Sequence, residues 1–298
     1  MKIIVLGSNG FIGSNALRYF RKKFPGTMGC DVIAPVEYDE NFLLLDRKSP
    51  QFDKIFLQHT FDVCINASGS GSVQYSIEHP DEDYRLNARH VFEILSGIAK
   101  FNSQCRFLTF SSAAVYGNPE TNPVSEKSKT KPLSPYGFHK LISEQICAEF
   151  YHLNKILTCS MRVFSAYGEG LHKQLFWDIF QKAKQNEIVS LFGTGEETRD
   201  FIYIDDIISA VDCIIAKSSF EADIVNVASG SSTSIKEAAV AFLESLGMKN
   251  EIHFTNIVKQ GDPVGWISDI SKLNGYGFTP AVNLRSGLSH YKEWLKLI

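Results

Sequence analysis

Residues 1–20 read MKIIVLGSNGFIGSNALRYF, and the order of their parts decides the fold. Ile3, Ile4, Val5 and Leu6 make an apolar strand that runs into Gly7, Gly10 and Gly13 and then into a helix over 14–23. A strand that is apolar at every position requires cover on both faces. A GxxGxxG turn between strand and helix brings backbone N–H groups and the positive end of the helix up to a pyrophosphate, as at the start of a dinucleotide-binding βαβ unit. A tight βα turn with no ligand could use the same glycines, so the rest of the chain must decide.

Further along, KIIVLG, DVIAPV, DVCINAS, RFLTFSS, LTCSMRVFS and, much later, DIVNVAS read as short apolar strands. Between them lie helical stretches over 14–23, 80–100 and 136–154. This alternation predicts an α/β protein with a Rossmann-type doubly wound parallel sheet. The Pro-, Ser-, Lys- and Thr-rich segment 118–135 reads as a surface loop bordering the site. After Tyr167 the alternation fades into a helix over 174–186, the GTGEETRDF segment and a mixed C-terminal region, while 205–217 and DIVNVAS return to the sheet. The expected division is residues 1–164 plus 201–228 as the dinucleotide-binding domain, and 165–200 plus 229–298 as a smaller C-terminal α/β substrate domain.

Composition narrows the function. The chain has 298 residues, 44% hydrophobic and 21% charged, which suits an ordinary soluble protein. A net charge of −3 gives no reason to expect nucleic acid or an anionic membrane as partner. No apolar run is long enough to span a bilayer and no secretory leader pattern opens the chain, so a cytoplasmic protein is expected. Cys30, Cys64, Cys105, Cys147, Cys159 and Cys213 show no CxxC or Cys/His spacing, and read as buried thiols rather than metal ligands or disulfides.

Tyr136 and Lys140 offer a chemical pair, although the same spacing also arises by chance from a packed aromatic and a solvated lysine. Four residues apart on a helix, they share one face. A phenol ordinarily holds its proton to about pH 10, and a neighbouring ammonium favours the phenolate, so the pair can move a hydroxyl proton.

Taken in order, GSNGFIG, INASGSGSVQYSIEHPDEDYRLN, SSAAVYG, SPYGFHK, RVFSAYG, RDFIYIDDI, NVASG and GDPVGWISDIS resemble the extended short-chain dehydrogenases/reductases. Within that family the likeness is to the nucleotide-sugar epimerases, dehydratases and 4-keto reductases, and it covers nearly the whole chain. The resemblance implies that Ser112 hydrogen-bonds the reacting sugar oxygen, that Tyr136 is the base, and that Lys140 lowers its pKa and binds the nicotinamide ribose. It also assigns cofactor contacts to Gly7, Asn9, Gly10, Phe11, Ile12, Gly13, Asp46, Asn66, Ala67 and Ser68, and to Asn87 as a brace. On the substrate side it assigns Arg199 to the diphosphate, whose geometry a guanidinium fork matches, with Ser165 near the sugar and Gln174 near the nucleotide. Trp266 reads as core. The partner implied is a nucleotide-diphosphate sugar. A homodimer is also implied, its helices pairing through Ile142, Ile146, Phe150 and Tyr151.

Departures from the family pattern limit the reaction. The dehydratases carry an Asp and a Glu after the catalytic Thr, where this chain has Ala113 and Ala114. Without an acid to protonate a leaving hydroxyl, 4,6-dehydration is disfavoured. Ser165 replaces a common Asn, and Glu169 stands where Pro usually follows the glycine. Two reactions then fit: 4-epimerisation by transient hydride transfer to bound NAD, placed first, and one-way reduction of a 4-keto sugar by NADPH. Glu37 and Asp39, with no basic residue before Arg47, favour NAD over NADP. A short link through FLLLD to DVCINAS favours the reductases. A redox sensor or scaffold that kept only the fold would not need Ser112, Tyr136 and Lys140 together.

Overall fold

Alternate residues of the first strand point into different apolar layers, and this places the sheet in the middle of the molecule. In β1 (Ile3–Leu6), Ile3 and Val5 join one buried cluster, whereas Ile4 and Leu6 join another. The computed structural model describes residues 1–257, 261 and 263–297. Beside β1 lie β2 (Met28–Asp31), β3 (Phe42–Leu44), β4 (Val63–Asn66), β5 (Arg106–Ser112), β6 (Thr158–Val163) and β11 (Glu221–Val227). All pair in parallel, in the order β11-β6-β5-β4-β1-β2-β3.

Helices cover both faces. One is packed by α1 (Phe11–Lys23) and α8 (Ile204–Lys217), the other by α2 (Phe52–Gln58), α5 (His90–Phe101) and α6 (Pro135–Asn154). This is the doubly wound Rossmann-type arrangement the sequence predicts. Burying each large apolar side chain, such as Phe20 or Ile94, stabilises the fold by about 1.5–3 kcal/mol.

After β6 the chain builds a second wall from short paired strands. β7 (Ser165–Tyr167) pairs with β10 (Phe201–Tyr203), β8 (Ile188–Leu191) with β13 (Glu251–Phe254), and β9 (Thr198–Arg199) with β12 (Thr233–Ser234). α7 (Gln174–Gln185), α9 (Ile235–Leu246) and α11 (Leu284–Leu295) pack Phe176, Ile179, Phe242, Leu288 and Tyr291 into the cluster that backs the main sheet. Short helices α3 (Val73–Glu78), α4 (Pro80–Tyr84) and α10 (Ser271–Gly275) complete the chain. Among the described residues no helix is long and apolar enough to cross a membrane.

Three sequence expectations need correction. The second strand is not DVIAPV but Met28–Asp31. Pro35 cannot donate to a ladder, and Ile33 and Val36 are exposed. Gly29 disguised the true strand. It is there because a Cβ would come within 3.0 Å of Leu17, Phe42 and the Ser8 hydroxyl. The helix over 80–100 is not uniform: a π-helical turn, Arg85–Arg89, separates α4 from α5. Phe150, expected on a dimer surface, belongs to the protomer's own core and packs edge-on against Phe92 at 5.4 Å.

Candidate active site

The glycine turn is built so that no side chain fits in it. Gly7 has φ +74°, and a Cβ there would lie 2.7 Å from Ser68 Cα, while one on Gly13 would overlap the Gly7 carbonyl oxygen. The turn therefore presses against 67–68 after β4, and Gly10 becomes the N-cap of α1 with no side-chain cap and no acid in the first turn. The N–H groups of Phe11, Ile12 and Gly13 thus stay open at the positive end of a helix. This cradle fits a pyrophosphate.

Sequence reasoning missed Asp31, which closes β2. Its carboxylate accepts from the backbone N–H of Asn9 at 2.8 Å, Val32 at 2.7 Å and Ile33 at 3.1 Å. An acid at this strand end suits a ribose 2′-hydroxyl and opposes a 2′-phosphate. The signal was present: Asp31 follows the glycines by about 20 residues, the spacing of the dinucleotide fingerprint. Asp39 is engaged elsewhere, with Arg21 at 2.6 Å, and Glu37 is exposed. Asp46 is exposed just beyond β3, where the Leu45 N–H donates to the Asp31 carbonyl. Asn66 is buried and bonded to Ser68 and Thr109.

Ser112 and Tyr136 meet because α6 begins against the end of β5. Ser134 caps α6, Pro135 takes its first position, and a Cβ on Gly137 would lie 2.7 Å from the Ala114 carbonyl. The buried Ser76 hydroxyl accepts from the Tyr136 N–H at 3.0 Å. The Ser112 hydroxyl lies near enough to the Tyr136 phenol to favour its deprotonation. Lys140 is buried, donates to the Phe110 carbonyl at 2.8 Å, and holds its ammonium 5.8 Å from the Tyr136 ring centre.

Burial sets the proton affinities. It pushes the Tyr136 phenol up to about 12, with the Ser112 hydrogen bond opposing and the Asp83 charge adding. It lowers Lys140 to about 8, with the carboxylates of Asp83 and Glu144 opposing and the Lys173 ammonium assisting. A second oversight of sequence reasoning is Lys173. The residue is exposed, yet its amino group lies 3.4 Å from where a Cβ on Gly71 would sit, and desolvation lowers its pKa.

The substrate-side residues come together in part. The Ser165 N–H donates to the Asp200 carbonyl at 3.0 Å, bringing β7 beside the segment that carries Arg199. Arg199 donates to the Thr198 carbonyl at 2.9 Å and lies over the Trp266 ring at 5.6 Å. Trp266 is buried as expected, donating to the Gly117 carbonyl at 3.0 Å. Asp200 is fully buried and accepts from Ser229, Gly230 and Ser268. Gln174, exposed, opens α7 at φ +69°, a left-handed conformation that costs a non-glycine residue about 1–3 kcal/mol. Asp262 of the GDPVGWISDIS segment lies outside the described residues.

Sheet order, glycine cradle and the tyrosine helix together place the chain in the extended short-chain dehydrogenase/reductase class. Within it, residues 3–228 match the NAD dependent epimerase/dehydratase family, and the chain belongs to that family. It is 26% identical to an uncharacterized UDP-glucose epimerase of Bacillus subtilis, YtcB, over 99% of this chain and 98% of the relative. In fold it is similar to the UDP-glucuronic acid 4-epimerase of Bacillus cereus, solved with UDP-glucuronic acid and NAD, at a TM-score of 0.89, 24% identity and coverage of 100% and 99% of the two chains. The UDP-glucose 4-epimerase of Thermotoga maritima, solved with UDP-glucose, gives 0.90, again with 24% identity and 100% and 99% coverage.

Proposed function

We propose that the protein is a UDP-sugar 4-epimerase using NAD. The observation that carries this reading is the meeting of Ser112, Tyr136 and Lys140 beside a glycine cradle whose ribose position holds an acid, Asp31. Relatives named as a putative UDP-glucose 4-epimerase and a UDP-glucuronate 4-epimerase, each matched over 99% of this chain, support it over a one-way reductase.

The cradle of Gly7–Gly13, with Asp31 and Lys140, would hold NAD, which when bound takes up and returns a hydride. Tyr136, as phenolate, receives the proton of the 4-hydroxyl, with Ser112 bridging to the sugar oxygen. The positive charge of Lys140 stabilises that phenolate. Tyr136 then returns the proton after the sugar has turned its other face, while Arg199 keeps hold of the diphosphate. Ala113 and Ala114 offer no acid to expel water, so the hydroxyls of the sugar survive.

Purified protein mixed with UDP-glucose, UDP-galactose or the corresponding uronates interconverts a 4-epimer pair with no net change in cofactor absorbance. Stoichiometric consumption of NADH or NADPH would instead establish a reductase. Tyr136→Phe lowers kcat by about 10²–10⁴-fold while NAD remains bound; loss of NAD binding would make the tyrosine structural.

The division into residues 1–164 plus 201–228 for cofactor and 165–200 plus 229–298 for substrate belongs to the same reading. So does a homodimer through α5 and α6, supported by exposed Phe92, Phe138 and Leu153 on those helices. Sedimentation velocity at micromolar concentration then gives a dimer, and a monomer would refute the pairing.

A further inference from the structure

Beneath the tyrosine helix lies a buried polar chain that the reaction as described does not use. Asp83, in α4, is fully buried. One carboxylate oxygen pairs with His139 Nδ1 at 2.7 Å, and the other accepts from the Asn87 amide at 2.9 Å. Asn87 is buried in the π-helical turn, and its Oδ1 has no hydrogen-bond partner among the described residues. That oxygen faces the segment after β4, because a Cβ on Gly69 would come 2.6 Å from it. His139 sits between Tyr136 and Lys140 in sequence, on the same helix. A buried carboxylate with two partners and a π-turn at its end is a costly arrangement, of the kind found at functional sites.

We propose that Asp83 and His139 are positioning residues: they anchor α6 between its tyrosine and its lysine, aim the free oxygen of Asn87 at the segment after β4, and keep a carboxylate beside the proton-transfer pair. The imidazole holds the carboxylate from the α6 side, with the Tyr84 ring edge-on to it at 5.4 Å. The charged and titratable groups facing the pair are Asp83 from α4, Glu144 from α6 and Lys173 from the segment before α7, with the Ser112 hydroxyl on the phenol. Asp83's charge acts on both Tyr136 and Lys140, favouring the ammonium and opposing the phenolate.

This inference rests on the epimerase reading, and its test separates the two. In Asp83→Asn, the ammonium loses a stabilising charge and the phenolate loses a repelling one, so both limbs of the kcat–pH profile move to lower pH, by about half to one unit. A merely structural role would lower the plateau and leave the limbs in place, and that result overturns the proposal. If Asp83→Asn does not fold, the His139 variants decide. His139→Gln keeps a donor for Asp83 and retains kcat, whereas His139→Leu lowers kcat by about tenfold with KM unchanged; equal kcat in the two variants overturns the proposal. If the wild type epimerises nothing, only the functional reading fails. The phenolate is then titrated by ultraviolet absorbance in NAD-loaded protein, wild type minus Tyr136→Phe, and Asp83→Asn must lower that transition.

Discussion

The two sides of the proposed site are made of different things. The side proposed for the cofactor is backbone: Gly7, Gly10 and Gly13 press together, and Asp31 is held by three main-chain N–H groups. The opposite side is side chains on short strands and one strained helix start, carrying Ser165, Lys173, Gln174 and Arg199. A backbone cradle admits one ligand geometry and tolerates almost no substitution. A side-chain wall can be retuned one residue at a time, which suits a family in which the sugar changes while the dinucleotide does not.

The contrast can be broken at either wall. The largest effect is expected from Gly13→Ala, whose methyl would overlap the Gly7 carbonyl. Overpacking there costs about 1–3 kcal/mol and shuts the cradle, so NAD binding by calorimetry is lost; binding within tenfold of wild type would show that the cradle is not backbone-limited. Next comes Arg199→Gln. Losing a charge-assisted bond of about 1.5–3 kcal/mol raises KM for the UDP-sugar about ten- to hundredfold, with NAD affinity unchanged. An equal loss of NAD affinity would mean the walls are not independent.

The smallest effect lies where the walls meet. Lys140, held near 8 by burial, is charged below that pH and neutral above it, so kcat falls as pH rises through about 8. Lys173→Met removes a positive neighbour and lets Lys140 keep its proton longer, so this alkaline limb moves up by about half a unit. A limb that stays put would place Lys173 outside the site.

The same contrast explains what could be read in advance. The glycine turn and the parallel sheet were legible because each depends on local spacing along one or two elements, whereas Ser112 was assigned by its motif beside the spaced pair Tyr136 and Lys140. Asp31 was not, because Gly29 and the apolar Val32–Ile33 made the strand appear to begin just where it ends. Lys173 and the Asp83–His139 pair were invisible for another reason: their partners are distant in sequence, 56 positions apart for the pair. The π-turn at Arg85–Arg89 left no periodicity signal, since its residues still alternate as a helix would. Arg199 was assigned by its motif, whereas its packing on Trp266 came only from the fold.

Asp200 receives its donors from Ser229, Gly230 and Ser268, all made after it. During synthesis the glycine turn at Gly7 is therefore made long before the Asp200 carboxylate finds its partners. The segment that carries Arg199 is fixed only once residues 229–268 have emerged.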